Sequence, residues 1–498
     1  MNYRLPPQPA EWIDRNRAVR FTFEGQSYSG FAGDTLTSAL SANGVRMLGR
    51  SFKYHRARGV YSLANHDVNA MMENGKQTNI RGDVTPLSDG ATFSAVNAFG
   101  GLRGDRARIV DFFGAFLPVG FYYKTFHRPK RLFPFFERQM RAMAGLGAIN
   151  SKLSRRRTPK AYDFCDVLVI GAGPSGLSAA IAAAETGATV VVVDENARAG
   201  GSLNYQWAGK DSGSADGGPA TLRSLLDRAA ALPNLQIRTS TLAAGHYTDH
   251  WVALVDEQRL VKMRARSVVL AAGCCEQPAV FGNNDLPGVM LASAAQRLVH
   301  QYSVKPFDRG IVLAANSDGY RAALDLSGAG VAVAAIVDLR PDGESGPLAE
   351  QVRQASIRVY AGHAICEATA GSGKASIRAA VVAPLDKQGR PDHSKSFSVE
   401  ADGLAMSVGW AAADGLYYQA GGRMEWSEAL QQFVPKSAPP GLFAAGRVNG
   451  VYALEDQLAD GRRAGLAACG YLGIALPSTA SNQTVKEPQR PTAPPSHP

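Results

Sequence analysis

The chain has 498 residues, of which 45% are hydrophobic and 19% are charged. This composition is typical of a globular protein of about two to four domains, and it excludes disordered, collagen-like and coiled-coil chains. The formal net charge of +10 comes from one segment, because residues 101–160 contain 14 Lys/Arg and 3 Asp/Glu.

The cysteines are too few for a disulfide framework and lack the spacing of a zinc site. They are Cys165, Cys274, Cys275, Cys366 and Cys469. We therefore predict reduced thiols, no metal site and a cytoplasmic location, with a redox role left open for the adjacent Cys274 and Cys275. The N-terminus lacks the apolar core of a secretory signal, and no apolar run approaches the roughly 18 residues of a membrane span.

The first predicted domain, residues 1–100, combines short strands with one helix. Residues 18–33 alternate apolar and polar side chains around a Glu-Gly turn, as β-hairpins do. Asp34 or Thr35 can cap a helix that ends at Gly44. Strands, a hairpin and one short helix predict a small β-grasp unit.

Residues 101–160 form an aromatic and basic connector. Two interpretations stay open: helices that pack with an exposed basic face, or an interface with a partner. No motif for RNA or DNA binding accompanies the charge, so we predict no nucleic-acid partner. An acidic partner protein or a phosphate-bearing cofactor fits the segment better.

Residues 161–285 and 395–475 predict one Rossmann-type dinucleotide-binding domain. The strand DVLVI runs directly into Gly171, Gly173 and Gly176 within G-A-G-P-S-G. The first glycine permits the tight turn, the second lets a pyrophosphate approach the backbone, and the third lets the helix pack on the strand. The helix N-terminus then offers free N–H groups to the phosphates.

An acidic residue follows the next strand. Asp194 lies 23 residues after Gly171, where a carboxylate accepts hydrogen bonds from ribose hydroxyls, and Glu195 is the neighbouring candidate. The acid favours NAD or FAD over NADP. The complete predicted cofactor-binding set is Gly171, Gly173, Pro174, Ser175, Gly176, Asp194, Glu195, Gly201, Ser202, Leu242, Ala272, Gly273, Gly446 and Arg447.

A second βαβ unit is predicted within residues 286–394, inserted into the first. Residues 311–340 repeat the strand-helix-strand pattern, but residues 314–320 read AANSDGY where a glycine loop belongs. Their side chains would block close approach of a phosphate. We therefore expect a structural unit that binds no nucleotide.

The segment FAAGRVNG, residues 443–450, helps to distinguish NAD from FAD as the dinucleotide bound by this chain. The overall layout, with Ala-Ala-Gly at 271–273, is similar to two-dinucleotide flavoproteins. In those proteins this segment supplies an Asp to the ribityl chain of the flavin, and here the position is Arg447. The substitution favours NAD, and FAD stays the alternative.

Several further stretches resemble the alpha subunit of heterotetrameric sarcosine oxidase. They include GRSFKYHRARG (49–59), FYYKTFHRPKRLFPFFERQMRAMAGLG (121–147), FGNNDLPGVMLASAAQRLVHQYSV (281–304), YRAALDLSGAGVAVAAIVDLR (320–340) and LYYQAGGRMEWSEALQQFVP (416–435). The resemblance covers about residues 15–475. It implies an α/β chain, in which a β-grasp domain of the 2Fe-2S ferredoxin type precedes the two-dinucleotide Rossmann domain.

The resemblance also implies that the ferredoxin-like domain carries no cluster. Iron–sulfur relatives place three cysteines after the Arg-Gly at 58–59, and the corresponding residues here are Ser62, Asp67 and Ala70. No cysteine precedes Cys165, so thiolates cannot hold a cluster in this domain.

The family arrangement implies NAD on this chain, FAD and the amine-oxidising site on a beta subunit, and FMN between the two. A surface facing the flavin phosphate would explain residues 101–160 and the basic cluster of Lys53, His55, Arg56 and Arg58. Solvation and local packing would explain the cluster equally. Small gamma and delta subunits or a folate-binding subunit are further implied partners, and no catalytic residue is assigned to this chain.

The implied reaction oxidises a sarcosine-like N-alkyl amino acid by hydride transfer to flavin, after which the imine hydrolyses. The family's alpha subunit continues into a folate-binding half, whereas here residues 476–498 predict a disordered tail. Related dehydrogenases act on opines, proline, hydroxyproline and glycine. The alternatives are an FAD-binding subunit of an opine-, proline- or hydroxyproline-type dehydrogenase, a stand-alone FAD-dependent NAD(P)H oxidoreductase, and a scaffold whose NAD is structural.

Overall fold

The computed structural model describes residues 2–8, 11–67, 69, 71–96, 98–112, 114, 128–143, 157–207 and 217–476. Contacts between Cα atoms divide the chain into two compact units. Unit 1 joins Met1–Arg155 to Pro278–Ser407, and unit 2 joins Arg156–Gln277 to Val408–Pro498. The finer boundaries expected from the sequence remain predictions.

The N-terminal part of unit 1 is a small mixed sheet with one helix. Its elements are β1 (Asp14–Phe23), β2 (Gln26–Ala32), α1 (Leu36–Ala42), β3 (Gly49–Arg50), β4 (Ala57–Arg58), β5 (Met71–Glu73), β6 (Ile80–Arg81), β7 (Ala91–Ala95), α2 (Ile109–Phe112) and α3 (Phe133–Met143). The sheet order is β2-β1-β7-β5-β6, with β1 antiparallel to β2 and parallel to β7. Thr35 caps α1 in a capping box with Ser38, and the helix ends two residues before the predicted Gly44.

Nearly half of the predicted basic connector lies outside the described part of the chain, which omits residues 115–127 and 144–156. Ala70 and the predicted tail from residue 477 onward also lie outside it. These expectations stay predictions.

The first half of unit 2 is a largely parallel sheet with buried strands. Its elements are β8 (Lys160–Ile170), α4 (Pro174–Ala184), β9 (Val190–Val193), α5 (Gly217–Ala230), β10 (Leu235–Arg238), β11 (Leu242–Tyr247), β12 (Trp251–Val255), β13 (Leu260–Leu270) and β14 (Cys274–Glu276). Strands β10, β9, β8 and β13 are parallel, and β12 and β11 continue the sheet antiparallel. The four valines of β9 are all buried, as expected for a strand covered on both faces.

Residues 278–407 add a second parallel sheet to unit 1. The elements are β15 (Val289–Leu291), α6 (Ala292–Tyr302), β16 (Arg309–Ala314), α7 (Ser317–Gly328), β17 (Ala332–Asp338), α8 (Gly346–Gln354), β18 (Val359–Ala361), β19 (His363–Ala370), β20 (Ile377–Pro384), β21 (Phe397–Glu400) and β22 (Gly403–Ser407). The parallel order is β15-β22-β16-β17-β18, and β19 to β21 form an antiparallel meander. The predicted strand-helix-strand repeat is confirmed.

The last described segment completes unit 2. It contains β23 (Trp410–Ala412), α9 (Gly415–Gln419), β24 (Arg423–Ser427), β25 (Gln432–Ser437), β26 (Leu442–Ala444) and α10 (Leu454–Tyr471). Strand β26 pairs with β13. Helix α10 packs tightly on α4, because a Cβ on Gly461 would lie 2.1 Å from the carbonyl oxygen of Ser175 and one on Gly465 would lie 2.2 Å from that of Ala179. Within the described residues, no helix combines the length and apolarity needed to cross a membrane.

Candidate functional site

The glycine loop connects β8 to α4, and the fold itself requires two of its glycines. Gly171 has a φ of +105°, and a Cβ there would lie 2.3 Å from the carbonyl oxygen of Ala271. A Cβ on Gly176 would lie 1.8 Å from the carbonyl oxygen of Gly171. Any side chain at either position would displace the backbone, as the tight turn and the close helix packing predict.

Gly173 differs, because its missing side chain faces open space. The nearest atom to a Cβ there would be the Cα of Gly201, at 3.9 Å. Gly173 caps α4 without a side-chain hydrogen bond, with Pro174 in the first turn. Ser175 is 4% exposed, and its hydroxyl has no hydrogen-bond partner among the described residues. An open backbone, a helix N-terminus and an unsatisfied buried hydroxyl together suit a phosphate group.

Two further segments border this opening. The short 3-10 helix Gly201–Asn204 includes Ser202, and a Cβ on Gly201 would lie 2.9 Å from the Cα of Gly173. From the other side, a Cβ on Gly446 would lie 2.3 Å from the hydroxyl of Ser175. The fold therefore brings distant predicted residues to one place around the N-terminus of α4.

Asp194 and Glu195 have different surroundings. Asp194 is 7% exposed, and its Oδ2 accepts a hydrogen bond from the backbone N–H of Ala172 at 2.7 Å. Its Oδ1 accepts from the backbone and side-chain nitrogens of Asn196, both at 2.8 Å. Burial raises the pKa of Asp194. Asp194 thus fixes the glycine loop, whereas the adjacent Glu195 is exposed.

Leu242, Ala272 and Gly273 lie at or next to the ends of two strands of the unit 2 sheet, β11 and β13. Leu242 begins β11 directly after Thr241, whose N–H donates to the carbonyl oxygen of Asp194 at 2.8 Å. Ala272 and Gly273 follow β13 beside the turn at Gly171. Ala272 and Gly273 therefore lie near the carboxyl edge of the sheet, where ligands bind in this class of fold, and Leu242 is linked to Asp194 through Thr241.

Arg447 is the best-anchored charged side chain near this edge. Its guanidinium carbon lies 5.0 Å from the ring centroid of Trp410 and 5.4 Å from that of Tyr452. Its Nη2 donates to Oε1 of Gln206 at 2.6 Å. Two aromatic faces and one hydrogen bond therefore hold the cation in a defined position.

Four contributors to this region were missed from the sequence. Asp460 accepts a hydrogen bond from the N–H of Gly446 at 2.8 Å, and Gln206, Trp410 and Tyr452 surround Arg447. They are isolated residues that only the fold brings together, so no spacing pattern could have identified them.

The adjacent residues Cys274 and Cys275 are both free thiols. Cys274 donates to the carbonyl oxygen of Arg447 at 3.2 Å, and burial raises its pKa to about 12. A thiol with this pKa stays protonated at neutral pH and is a poor nucleophile. This environment favours a packing role for Cys274.

In the second βαβ unit, side chains occupy the positions where a nucleotide would bind in the first. Asn316 caps α7 where Gly173 caps α4, and its Oδ1 accepts from the N–H of Gly319 at 3.2 Å. Asp338, at the end of β17, is completely buried and accepts from Nη2 of Arg340 at 2.8 Å and from the hydroxyl of Tyr320 at 2.7 Å. The cap and the acid that would meet a nucleotide are already occupied, in agreement with an empty unit.

The region expected to hold a cluster in ferredoxins contains a carboxylate network instead. Asp67 Oδ2 accepts from the N–H of Ser62 at 2.8 Å and from its hydroxyl at 2.9 Å. Asp67 Oδ1 accepts from the N–H of Asn69 at 2.8 Å. These hard oxygen groups and the lack of any cysteine before Cys165 do not fit a thiolate-bound iron–sulfur cluster.

The basic cluster near residue 55 is compensated by carboxylates of unit 1. Arg56 donates to both oxygens of Asp285 at 2.8 Å, and Arg58 also pairs with Asp285. Burial alone would raise the pKa of Asp285, but the two guanidinium groups lower it. His55 Nδ1 lies 2.8 Å from Asp105. These contacts favour local packing over a flavin-phosphate site for this cluster.

The fold and the glycine loop define a protein of the dinucleotide-binding oxidoreductase class. Residues 16–97 match the family described as 2Fe-2S iron-sulfur cluster binding domain, and residues 166–273 match the family described as FAD dependent oxidoreductase. The L-proline dehydrogenase of P. horikoshii has a similar fold, with a TM-score of 0.67, 17% sequence identity, and coverage of 99% of this chain and 81% of that one.

The chain is similar to sarcosine oxidase alpha subunits along nearly its whole length, so the resemblance seen in the sequence is confirmed. It is 33% identical to the sarcosine oxidase alpha subunit of Rhizobium meliloti (strain 1021) over 96% of this chain and 48% of the relative. It is 28% identical to an opine oxidase subunit of Agrobacterium tumefaciens (strain Ach5) over 64% of this chain and 68% of that protein. The chain spans about half the length of the sarcosine oxidase relatives it matches.

Proposed function

We propose that this chain is the alpha-type subunit of a heteromeric flavin amine oxidase or dehydrogenase that oxidises a sarcosine-like N-alkyl amino acid. The observation that carries the proposal is similarity along nearly the whole chain to sarcosine oxidase alpha subunits, combined with a complete glycine loop. The substrate-oxidising site would lie on a flavin-binding beta subunit, with FMN bound between the two chains.

In this proposal the chain binds one dinucleotide at the N-terminus of α4. The open space at Gly173 and the unsatisfied hydroxyl of Ser175 support pyrophosphate binding. Because Asp194 is buried against the loop, the exposed Glu195 is the better candidate for the ribose hydroxyls.

We further propose that this dinucleotide is NAD. A guanidinium has only hydrogen-bond donors, so Arg447 cannot accept from the hydroxyls of a ribityl chain as an Asp does. Its anchoring between Trp410 and Tyr452 also leaves it little freedom to move away.

The experiment is nucleotide release from purified protein. The chain is expressed alone and with the flavoprotein expected as its partner, each preparation is denatured, and the released nucleotides are identified by absorbance and mass. NAD from the chain, with FAD and FMN only from the complex, supports the proposal. A chain that releases no dinucleotide under either condition contradicts it.

A second candidate is an FAD-binding subunit of an opine- or proline-type dehydrogenase. It is favoured by the FAD dependent oxidoreductase match, which covers the glycine loop, and by the similarity to the opine oxidase of Agrobacterium tumefaciens. FAD released from this chain alone would select this candidate.

A further inference from the structure

One face of the unit 2 sheet exposes aromatic and cationic side chains together. Register places Tyr247 opposite Trp251, Trp251 opposite Arg264, and Arg264 opposite Phe164, so these four side chains form one row across β11, β12, β13 and β8. In the next row, Tyr162 lies opposite Lys262. We call these six residues the aromatic–cationic face.

Three of the four rings of this face are largely open to solvent. Tyr162 is 62% exposed, Phe164 is 66% exposed and Tyr247 is 58% exposed. A Cβ on Gly245 would lie 2.8 Å from the hydroxyl oxygen of Tyr247 and 2.9 Å from its ring, so the glycine makes room for the tyrosine ring to lie back along β11. Exposed large aromatics grouped on one face mark an interaction site more often than single exposed residues do.

The two cations are positioned by the rings rather than by acids. Lys262 Nζ lies 5.1 Å from the ring centroid of Tyr162, and the guanidinium carbon of Arg264 lies 5.7 Å from that of Trp251. Among the described residues, no carboxylate lies within ion-pair distance of either cation. Nearby arginines differ, because Arg238 pairs with Asp163 at 2.5 Å and Arg266 pairs with Asp166 at 2.8 Å.

We propose that the aromatic–cationic face docks an acidic surface of a partner protein. Tyr, Trp and Arg are enriched in the centres of protein interfaces, and cations already held in place lose little freedom on binding a carboxylate. A second copy of this chain would bring the same positive charges together, which opposes self-association. The inference rests on the proposed function, in which the chain works with a flavin-binding subunit.

The face can be changed without touching the dinucleotide site. Tyr162 and the glycine loop lie toward opposite ends of β8, and eight residues of strand span about 26 Å. Substitutions on the face should therefore leave nucleotide binding unaltered. This separation lets assembly and cofactor binding be measured independently.

The test compares binding of the purified chain to the co-expressed flavin-binding subunit. We expect two variants, Lys262→Glu/Arg264→Glu and Tyr162→Ala/Phe164→Ala, each to raise the dissociation constant of the complex by about tenfold or more. Lys387→Glu/Arg390→Glu, on an exposed turn of unit 1, makes the same change in net charge and should bind like the wild type. Higher salt should weaken the wild-type complex more than the charge-reversed one.

Each outcome decides a different point. A wild-type complex that the face variants form equally well overturns this inference and leaves the proposed function standing. No wild-type complex overturns both. Binding of the chain to phosphatidylserine vesicles that Lys262→Glu/Arg264→Glu abolishes, with binding to the flavoprotein unchanged, would instead assign the face to a lipid surface and overturn the inference.

Discussion

At the scale of single residues, the fold requires two glycines of the loop, whereas the third leaves space in which a ligand could bind. Gly171 and Gly176 have backbone atoms where a Cβ would be, whereas Gly173 has free space there. The sequence pattern assigns a separate role to each of these glycines, and the Cβ distances distinguish them in the structure. Only Gly173 can therefore be changed to test binding without breaking the fold.

Gly173→Leu should remove dinucleotide binding while the protein stays folded. The leucine would occupy the space next to the N-terminus of α4 that a pyrophosphate needs. We expect affinity to fall by about 100-fold, or about 2.7 kcal/mol, with little change in Tm. Gly415→Leu, at a position with no atom within 4 Å of the added Cβ, is the matched control. Unchanged binding in Gly173→Leu would contradict the assignment of this loop.

Arg447→Asp should change which nucleotide the chain retains. The substitution replaces a donor held between two rings by an acceptor, which removes the obstacle to a ribityl chain. We expect less NAD and a gain of FAD in the released nucleotides. Arg447→Lys keeps the charge and should still retain NAD. Loss of all nucleotides in Arg447→Asp without FAD uptake would show that Arg447 does not select between them.

Asp83 should make the stability of the protein decrease as pH rises. Burial, and secondarily the charge of Asp67, raises the pKa of Asp83 from 3.8 to about 8. The folded chain therefore holds a proton that the unfolded chain releases, so stability is lost progressively from about pH 4 to about pH 8. Asp83→Asn should remove this slope and stabilise the protein by about 2 kcal/mol or more at pH 8, measured by urea unfolding. Equal slopes for both proteins would contradict this account.

At the scale of elements, the two βαβ units differ at the N-terminus of the helix that follows their first strand. In the first, Gly173 leaves the N-terminus of α4 open, whereas in the second the side chain of Asn316 caps α7. Asp318 adds a negative charge to the first turn of α7, which would repel a phosphate. The same topology thus has an open helix N-terminus in one unit and a helix N-terminus capped by a side chain in the other.

We therefore expect one dinucleotide per chain. Titration of nucleotide-free protein should give a stoichiometry near one, and Gly173→Leu should reduce it to zero. Asn316→Gly alone should not create a second site, because Arg340 would still donate a hydrogen bond to the carboxylate of Asp338. A second equivalent of nucleotide bound by the wild type would contradict the assignment of the second unit as empty.

The elements were predictable where one local pattern decides the structure. Alternation indicated the β1–β2 hairpin, and the four consecutive valines of β9 indicated a buried strand. The surroundings of Arg447 were not predictable, because Gln206, Trp410 and Tyr452 come from separate segments. Asp194 was expected to face the ligand, but periodicity cannot show that its carboxylate turns back to the N–H of Ala172.

At the scale of the whole molecule, the proposed function would give the chain two roles, nucleotide binding and docking of a partner. Unit 1 holds a ferredoxin-like sheet with a loop organised by Asp67, and a second βαβ unit whose helix cap and buried acid are hydrogen-bonded to its own residues. Unit 2 holds the open glycine loop and the aromatic–cationic face. We therefore propose that the chain binds one nucleotide and contributes a surface to an assembly in which a partner oxidises the amine.

The most direct measurement is reduction of flavin by substrate in the co-expressed complex and in the isolated chain. With sarcosine added under anaerobic conditions, we predict bleaching of the visible flavin absorbance in the complex and none in the isolated chain, which should be colourless and release NAD. An isolated chain that is yellow and is bleached by NADH without a partner would contradict the account.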